Sequence, residues 1–273
     1  MGDVAIRARG LGIKFRRNRR GRRNIRDMFG RAEARTRPDE FWAFRNVSFR
    51  VEQGEAVSVV GRNGQGKSTL LKLVAGVLLP DEGRVSVRGG VAPLIEITGG
   101  FESQLTVKEN VFIVAGLHGM PRQEIKRRFE GIIDFAELEG FENAPFKNLS
   151  SGMKARLAFA VVSELDEPTL LVDEVLAVGD KAFREKCFAR IEDIMAEGRT
   201  MFFVGHNAGN MKRFTTRGLY LDNHQLKMDA PIDDVLAQYA KDYPPPAPRP
   251  RGKEQGNRRQ NQPVPVPDDD DDD

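Results

Sequence analysis

Gly61-Arg62-Asn63-Gly64-Gln65-Gly66-Lys67-Ser68-Thr69 sets glycines, a lysine and two hydroxyls in a Gly-x-x-x-x-Gly-Lys-Ser spacing. These residue types suit the binding of a nucleotide polyphosphate. The glycines let backbone N–H groups curl inward around a phosphate, and a helix starting at the same point adds about half a positive charge. Lys67 is then expected to reach the β- and γ-phosphates, and Ser68 to ligate Mg2+.

A second chemical group is Asp173-Glu174, which closes the apolar run Thr169-Leu170-Leu171-Val172. Asp173 is expected to hold the Mg2+ shared with Ser68, directly or through water, while Glu174 polarises an attacking water as general base. Acids commonly finish strands. The phosphate loop earlier in the chain is what gives this pair its catalytic meaning.

The elements around these groups follow from hydrophobic period. Ala56-Val57-Ser58-Val59-Val60 before the loop has the β-branched density of a buried parallel strand, and Leu70 to Ala75 after it suits the first turns of a helix. Val4 to Phe15 reads as an opening strand and turn, and Asn46 to Val51 alternates like a half-buried antiparallel strand. Arg84–Arg88 and Val91–Ile97 read as strands around Gly89-Gly90. A mostly helical insert follows, with Thr106 capping a helix to Gly116 through a capping box with Glu109, then a helix from Pro121 to Leu138 and another over Lys154–Glu164. Thr169–Glu174 and Thr200–Gly205 are further strands, the latter ending at His206. Strand and helix alternate, so the core is a parallel sheet with its chemistry at the strands' carboxyl ends. Two short strands, Leu219–Leu221 and Gln225–Met228, and a helix from Pro231 to about Ala240 complete the fold near Tyr243.

Composition narrows the class. With 273 residues and 40% apolar content the chain has material for one sizeable α/β domain. No run of about 18 uncharged apolar residues occurs and Met1-Gly2-Asp3 opens no signal peptide, so a cytosolic location without a membrane span is expected. Cys187, the single cysteine, excludes an internal disulfide and a cysteine metal cluster; Phe183, Cys187, Ile191 and Ile194 share a helical face, which predicts a buried thiol. The net charge of +3 hides an asymmetry, because residues 1–37 hold 13 Lys and Arg against three acids. Much of that charge falls in a basic insertion over 16–40, where Ile25, Met28 and Phe29 lie at helical spacing. The insertion reads as an amphipathic helix for anionic lipid or a partner, or as a solvated arm; aromatics do not interleave its arginines as a nucleic-acid stacking platform needs. Residues 244–273, Pro-rich and ending in six aspartates, are expected to form a disordered tail.

From about residue 4 to 243 the chain resembles the ATPase subunits of ATP-binding-cassette (ABC) transporters. The diagnostic stretch is Leu149-Ser150-Ser151-Gly152-Met153, which is similar to that family's signature loop with Ser150 and Gly152 kept. The resemblance implies a P-loop NTPase fold of the ABC ATPase kind, with an antiparallel β subdomain, a parallel-sheet core and a helical subdomain near 98–165. It implies ATP as substrate, bound across Gly61–Thr69, and Mg2+ as cofactor. It further implies a head-to-tail homodimer in which the signature loop meets the γ-phosphate held by the opposite subunit. His206 matches the family histidine that contacts the γ-phosphate, Asp180 lies in the loop that crosses the dimer, and Phe15 matches the aromatic that stacks on adenine, with Trp42 or Phe41 as alternatives. Glu96 stands where most members have a glutamine at the metal site.

Asp173–Phe183, Ser150–Met153 and the region from Glu96 to Phe101 resemble the branch that exports lipid-linked polysaccharides. That branch implies a separate integral-membrane permease as partner, a lipid-linked glycan reached indirectly, and a peripheral place on the cytoplasmic face of the cell membrane, with no nucleic acid expected. Two readings stay open: an ABC ATPase for drug, lipid or import, and a soluble ABC ATPase acting on nucleic acid or ribosomes.

Overall fold

The structure is a computed structural model that describes residues 3–16, 40–95, 99–173 and 179–244. Glu96, Glu174, most of the basic insertion with Ile25, Met28 and Phe29, and the tail beyond Pro244 lie outside the described residues.

In chain order the elements are β1 (Val4–Arg16), β2 (Glu40–Glu52), β3 (Ala56–Val60), α1 (Lys67–Val74), β4 (Glu82–Val87), β5 (Val91–Leu94), α2 (Val107–Leu117), α3 (Arg122–Ala136), α4 (Ser151–Ser163), β6 (Thr169–Asp173), α5 (Lys181–Ala196), β7 (Thr200–Val204), α6 (Ala208–Phe214), β8 (Arg217–Asp222), β9 (Gln225–Pro231) and α7 (Ile232–Asp242). They build two sheets. One is a three-stranded antiparallel sheet ordered β2-β1-β4, the other six-stranded and ordered β5-β6-β7-β3-β8-β9. In the larger sheet only β9 runs antiparallel to its neighbour.

Side chains alternate across the central strands, so each strand feeds two cores. Leu170 and Val172 of β6, with Met201 and Phe203 of β7, pack against the helical side, while Leu171, Phe202 and Val204 face α1 and the antiparallel sheet. Phe49 of β2 stacks on Phe202 at 5.6 Å between centroids, which locks one sheet over the other. Fully burying such a side chain contributes about 1.5–3 kcal/mol.

Several boundaries differ from the sequence reading. Strand β2 begins at Glu40 rather than Asn46, because Asn46 adopts a positive φ of 55° that breaks the alternation while residues on either side still pair with β1. The segments flanking Gly89-Gly90 belong to different sheets, β4 to the antiparallel one and β5 to the edge of the other. Helix α4 starts at Ser151, three residues earlier than the apolar pattern suggests, because the Ser150 hydroxyl accepts the Met153 N–H at 3.2 Å and caps it. The Thr106–Glu109 capping box is present. Cys187 is fully buried with Phe183, Ile191 and Ile194, and burial pushes its thiol up to about 12.

Candidate active site

Strand β3 delivers the chain into the phosphate loop, and the loop ends in α1. Helix α1 is capped by Gly66 in the left-handed conformation, without a side-chain cap and without an acid in its first turn. The amide donors of that turn therefore face the loop with no side chain competing for an anion. A Cβ at Gly66 would sit 2.7 Å from Phe44 Cδ1 and 3.1 Å from the Ala43 carbonyl, so only glycine lets the loop lie this close to β2. Lys67 Nζ donates to the carbonyls of Gly61 at 2.6 Å and Arg62 at 3.0 Å, which folds the ammonium back over the loop. Ser68 is exposed at the start of α1.

The parallel register brings the other groups to the same edge. Asp173 at the end of β6 pairs with Val204 of β7, and Val204 pairs with Val59 of β3. Asp173 thus lies two strand spacings, about 10 Å, from the strand that enters the phosphate loop. His206 and Gly61 each follow this row by two residues, and His206 is exposed. Leu94 of β5 pairs with Val172, which sets the end of β5 beside the end of β6. Among the described residues no group of three or more His, Cys, Asp and Glu forms a metal cage. The donor set instead suits a hard cation bound by one or two protein oxygens together with substrate phosphates.

The other described residues expected at the site sit on further elements. Leu149 is buried, Ser150 and Ser151 are exposed, and Gly152 and Met153 are half-buried at the start of α4, between α3 and β6 in the chain. Asp180 caps α5 by accepting the Phe183 N–H at 2.9 Å and forms an ion pair with Arg156 at 2.9 Å. The bond from the Phe183 N–H, more than Arg156, holds its carboxyl below the usual range. Phe15 is 36% exposed beside Phe41, with ring centroids 6.1 Å apart. Trp42 is less open, because the Arg45 guanidinium covers its ring at 4.7 Å and Gly12 leaves room for its far edge.

The geometry also contains residues that no motif signals. Asn223 and His224 form the β8–β9 turn, both at positive φ. His224 donates its N–H to Gln65 Oε1 in the phosphate loop. Arg62 of the same loop lies over the Tyr243 ring at 4.8 Å. A two-residue turn with asparagine was the available signal, but its contact with the loop depends on tertiary packing.

The family described as ABC transporter matches residues 44–177, from within β2 to just past Asp173. The O-antigen export system ATP-binding protein RfbB of Klebsiella pneumoniae is 43% identical over 200 residues, covering 73% of this chain and 81% of that protein. The chain belongs to the ABC transporter family. This ABC ATPase is also 40% identical over 201 residues to the ABC transporter protein AbcA of Aeromonas salmonicida, covering 74% of the chain and 65% of the relative. It is 38% identical over 215 residues to the teichoic acids export ATP-binding protein TagH of Bacillus anthracis, covering 79% of the chain and 38% of the relative. The fold agrees: an ATP-binding subunit of an ABC transporter superposes with a TM-score of 0.68 at 22% identity, covering 86% of this chain and 93% of that one. A dimeric ATP-binding cassette bound to ADP and Pi gives 0.66 at 22% identity, covering 83% and 98%.

Proposed function

We propose that this ABC ATPase drives export of a lipid-linked polysaccharide through a separate membrane permease. The observation that carries the ATPase chemistry is the row Val59–Val204–Asp173, which aligns the phosphate loop with Asp173 on one sheet edge. The export reading is supported by the O-antigen and teichoic acid relatives.

In this reading the α1 amides and Lys67 hold the β- and γ-phosphates of ATP, and Phe15 with Phe41 offers the aromatic face for adenine. Mg2+, when bound, is held by Ser68 and Asp173, with Glu96 two residues beyond β5 as a further oxygen donor, and it neutralises phosphate charge. The Glu174 carboxylate takes a proton from water as the water oxygen bonds to the γ-phosphorus. The bond from that phosphorus to the bridging oxygen breaks and ADP leaves. His206 orients the γ-phosphate side, and Leu149–Met153 of a second copy closes the site, with Asp180 near the seam.

Val77, Leu79 and Leu117 are exposed apolar residues, and Val77 lines a cleft of about 190 Å3 with Pro93, Ile95, Val114 and His118. An exposed apolar surface of this kind suits a permease contact. None of the described helices is long and apolar enough to cross a membrane. In this reading the permease anchors the subunit, with the arginines of the insertion attracting an anionic leaflet. The test is depletion of the protein in its own cell, with the permease recovered by copurification. Accumulation of a lipid-linked glycan inside the cell supports the reading. Unchanged glycan export with loss of uptake or drug resistance contradicts it.

A further inference from the structure

The solvent face of the antiparallel sheet sets arginine against arginine. Arg7 of β1 pairs in register with Arg50 of β2, and Arg9 of β1 with Arg84 of β4. All four are exposed, and among the described residues none of them has a carboxylate within ion-pair distance. Like charges directly opposite on neighbouring strands destabilise a sheet, so this arrangement needs a counter-charge. Three of the acids nearby are already engaged. Asp229 grips Arg217 in a fork at 2.6 and 2.7 Å, Glu55 bonds Arg217 at 2.8 Å, and Asp3 pairs with Arg88 at 2.9 Å. Arg7, Arg9, Arg50 and Arg217 line one depression of about 710 Å3 with Ser48 and Asp229.

A matching negative charge is available in the same chain. Asp268–Asp273 supplies six consecutive carboxylates, the group whose geometry the guanidinium fork matches. Its point of departure lies close by, because the Tyr243 hydroxyl donates to Asp222 at 2.7 Å at the end of β8, and Arg217 at the start of β8 lines the depression. The length of β8 puts these two points about 17 Å apart. The chain from Pro244 to Asp268 reaches at most about 80 Å, so the distance is no obstacle. We propose that Asp268–Asp273 docks on Arg7, Arg9, Arg50 and Arg84 and covers the basic face of the sheet. Tethering raises the local concentration of the acidic segment to the order of mM, which compensates for the weakness of individual exposed ion pairs. The contact is accordingly salt-sensitive.

The inference does not depend on the export reading and is tested in the full chain. Arg9→Lys and Arg50→Lys each place an amine on the face for carbodiimide coupling to carboxylates. Mass spectrometry is expected to find a product of monomer mass joining position 9 or 50 to the 268–273 segment, its yield falling at least fivefold at about 0.5 M salt. In the otherwise unaltered chain, Asp268–Asp273→Asn is expected to speed phenylglyoxal modification of Arg7, Arg9, Arg50 and Arg84 severalfold. Coupling only to local acids, coupling only between chains, or equal modification rates overturn the proposal. A tail product obtained with Arg19→Lys and Arg22→Lys instead places the segment on the insertion. Protection that appears only with phosphatidylserine vesicles assigns the face to anionic lipid; either outcome rejects the tail as its occupant.

Discussion

His224 donates its backbone N–H to Gln65 Oε1 at 3.2 Å while its imidazole Nδ1 lies 3.0 Å from the Ala43 carbonyl, so Nδ1 carries the proton. The His224 carbonyl in turn accepts the Arg45 N–H at 2.9 Å. One residue with a φ of 62° therefore ties the phosphate loop to β2 from three sides. His224→Gly keeps the turn and removes only the imidazole bond, worth about 0.5–1.5 kcal/mol. It is expected to weaken ATP binding by about threefold to tenfold and to lower the melting temperature by no more than about 5 °C. Titration calorimetry with a non-hydrolysable ATP analogue reads this, and identical affinities would show that the imidazole bond to Ala43 does not brace the loop.

Two glycines of the loop separate crowding from backbone strain. Both Gly64 and Gly66 have positive φ, but a Cβ at Gly64 meets nothing within 4 Å whereas one at Gly66 meets Phe44 and Ala43. Gly64→Ala is expected to cost about 1–2 kcal/mol from its backbone alone. Gly66→Ala adds the clash and is expected to lose ATP binding by 100-fold or more, on the order of 3 kcal/mol. Equal effects would mean that contact with β2 does not shape the loop.

Asn110 is fully buried in α2, and both ends of its amide are used. Its Oδ1 accepts the Glu102 N–H at 2.7 Å, and its Nδ2 donates to the carbonyls of Glu102 and Thr106, both at 3.0 Å. Asn110→Leu leaves the Glu102 N–H without its acceptor, while both carbonyls keep backbone donors, and is expected to lower stability by about 1–3 kcal/mol. Urea denaturation would show it as a lower midpoint, while Lys67 and its loop, remote from α2 in the chain, keep their ATP affinity.

Burial sets the behaviour of Cys187. With its thiol pushed up to about 12, the folded protein keeps the proton in the range where the unfolded chain loses it. Its stabilising contribution is complete below the unfolded value of about 8.5 and is lost as pH rises from there towards 12. Replacing Cys187→Ala is expected to flatten the fall of stability between pH 9 and 11 by about 1 kcal/mol per pH unit. Native Cys187 is expected to resist iodoacetamide at pH 8 and to react in urea; fast native alkylation would contradict its burial.

The parts of the fold that were legible are those written in local pattern. The β-branched run before Gly61, the Thr106–Glu109 box and the Cys187 face each follow from neighbours within a turn or a strand, and all are present. The start of β2 was misread because Asn46 interrupts the alternation, and the start of α4 because Ser151-Gly152-Met153 carries no helical apolar stripe. The site was legible where one loop or strand end carries the chemistry. The bonds of His224 to Gln65 and Ala43 join residues more than 150 positions apart, which no periodicity encodes.

Glu174→Gln keeps the size of the side chain and removes its capacity to accept a proton, so it isolates the hydrolytic step from binding. The decisive measurement is the rate of phosphate release by the Glu174→Gln chain under saturating Mg-ATP, with the dimer fraction followed by light scattering in the same sample. The account predicts loss of turnover by 100-fold or more, about 3 kcal/mol, with ATP still bound in a closed dimer. Near-normal phosphate release from that chain would contradict it.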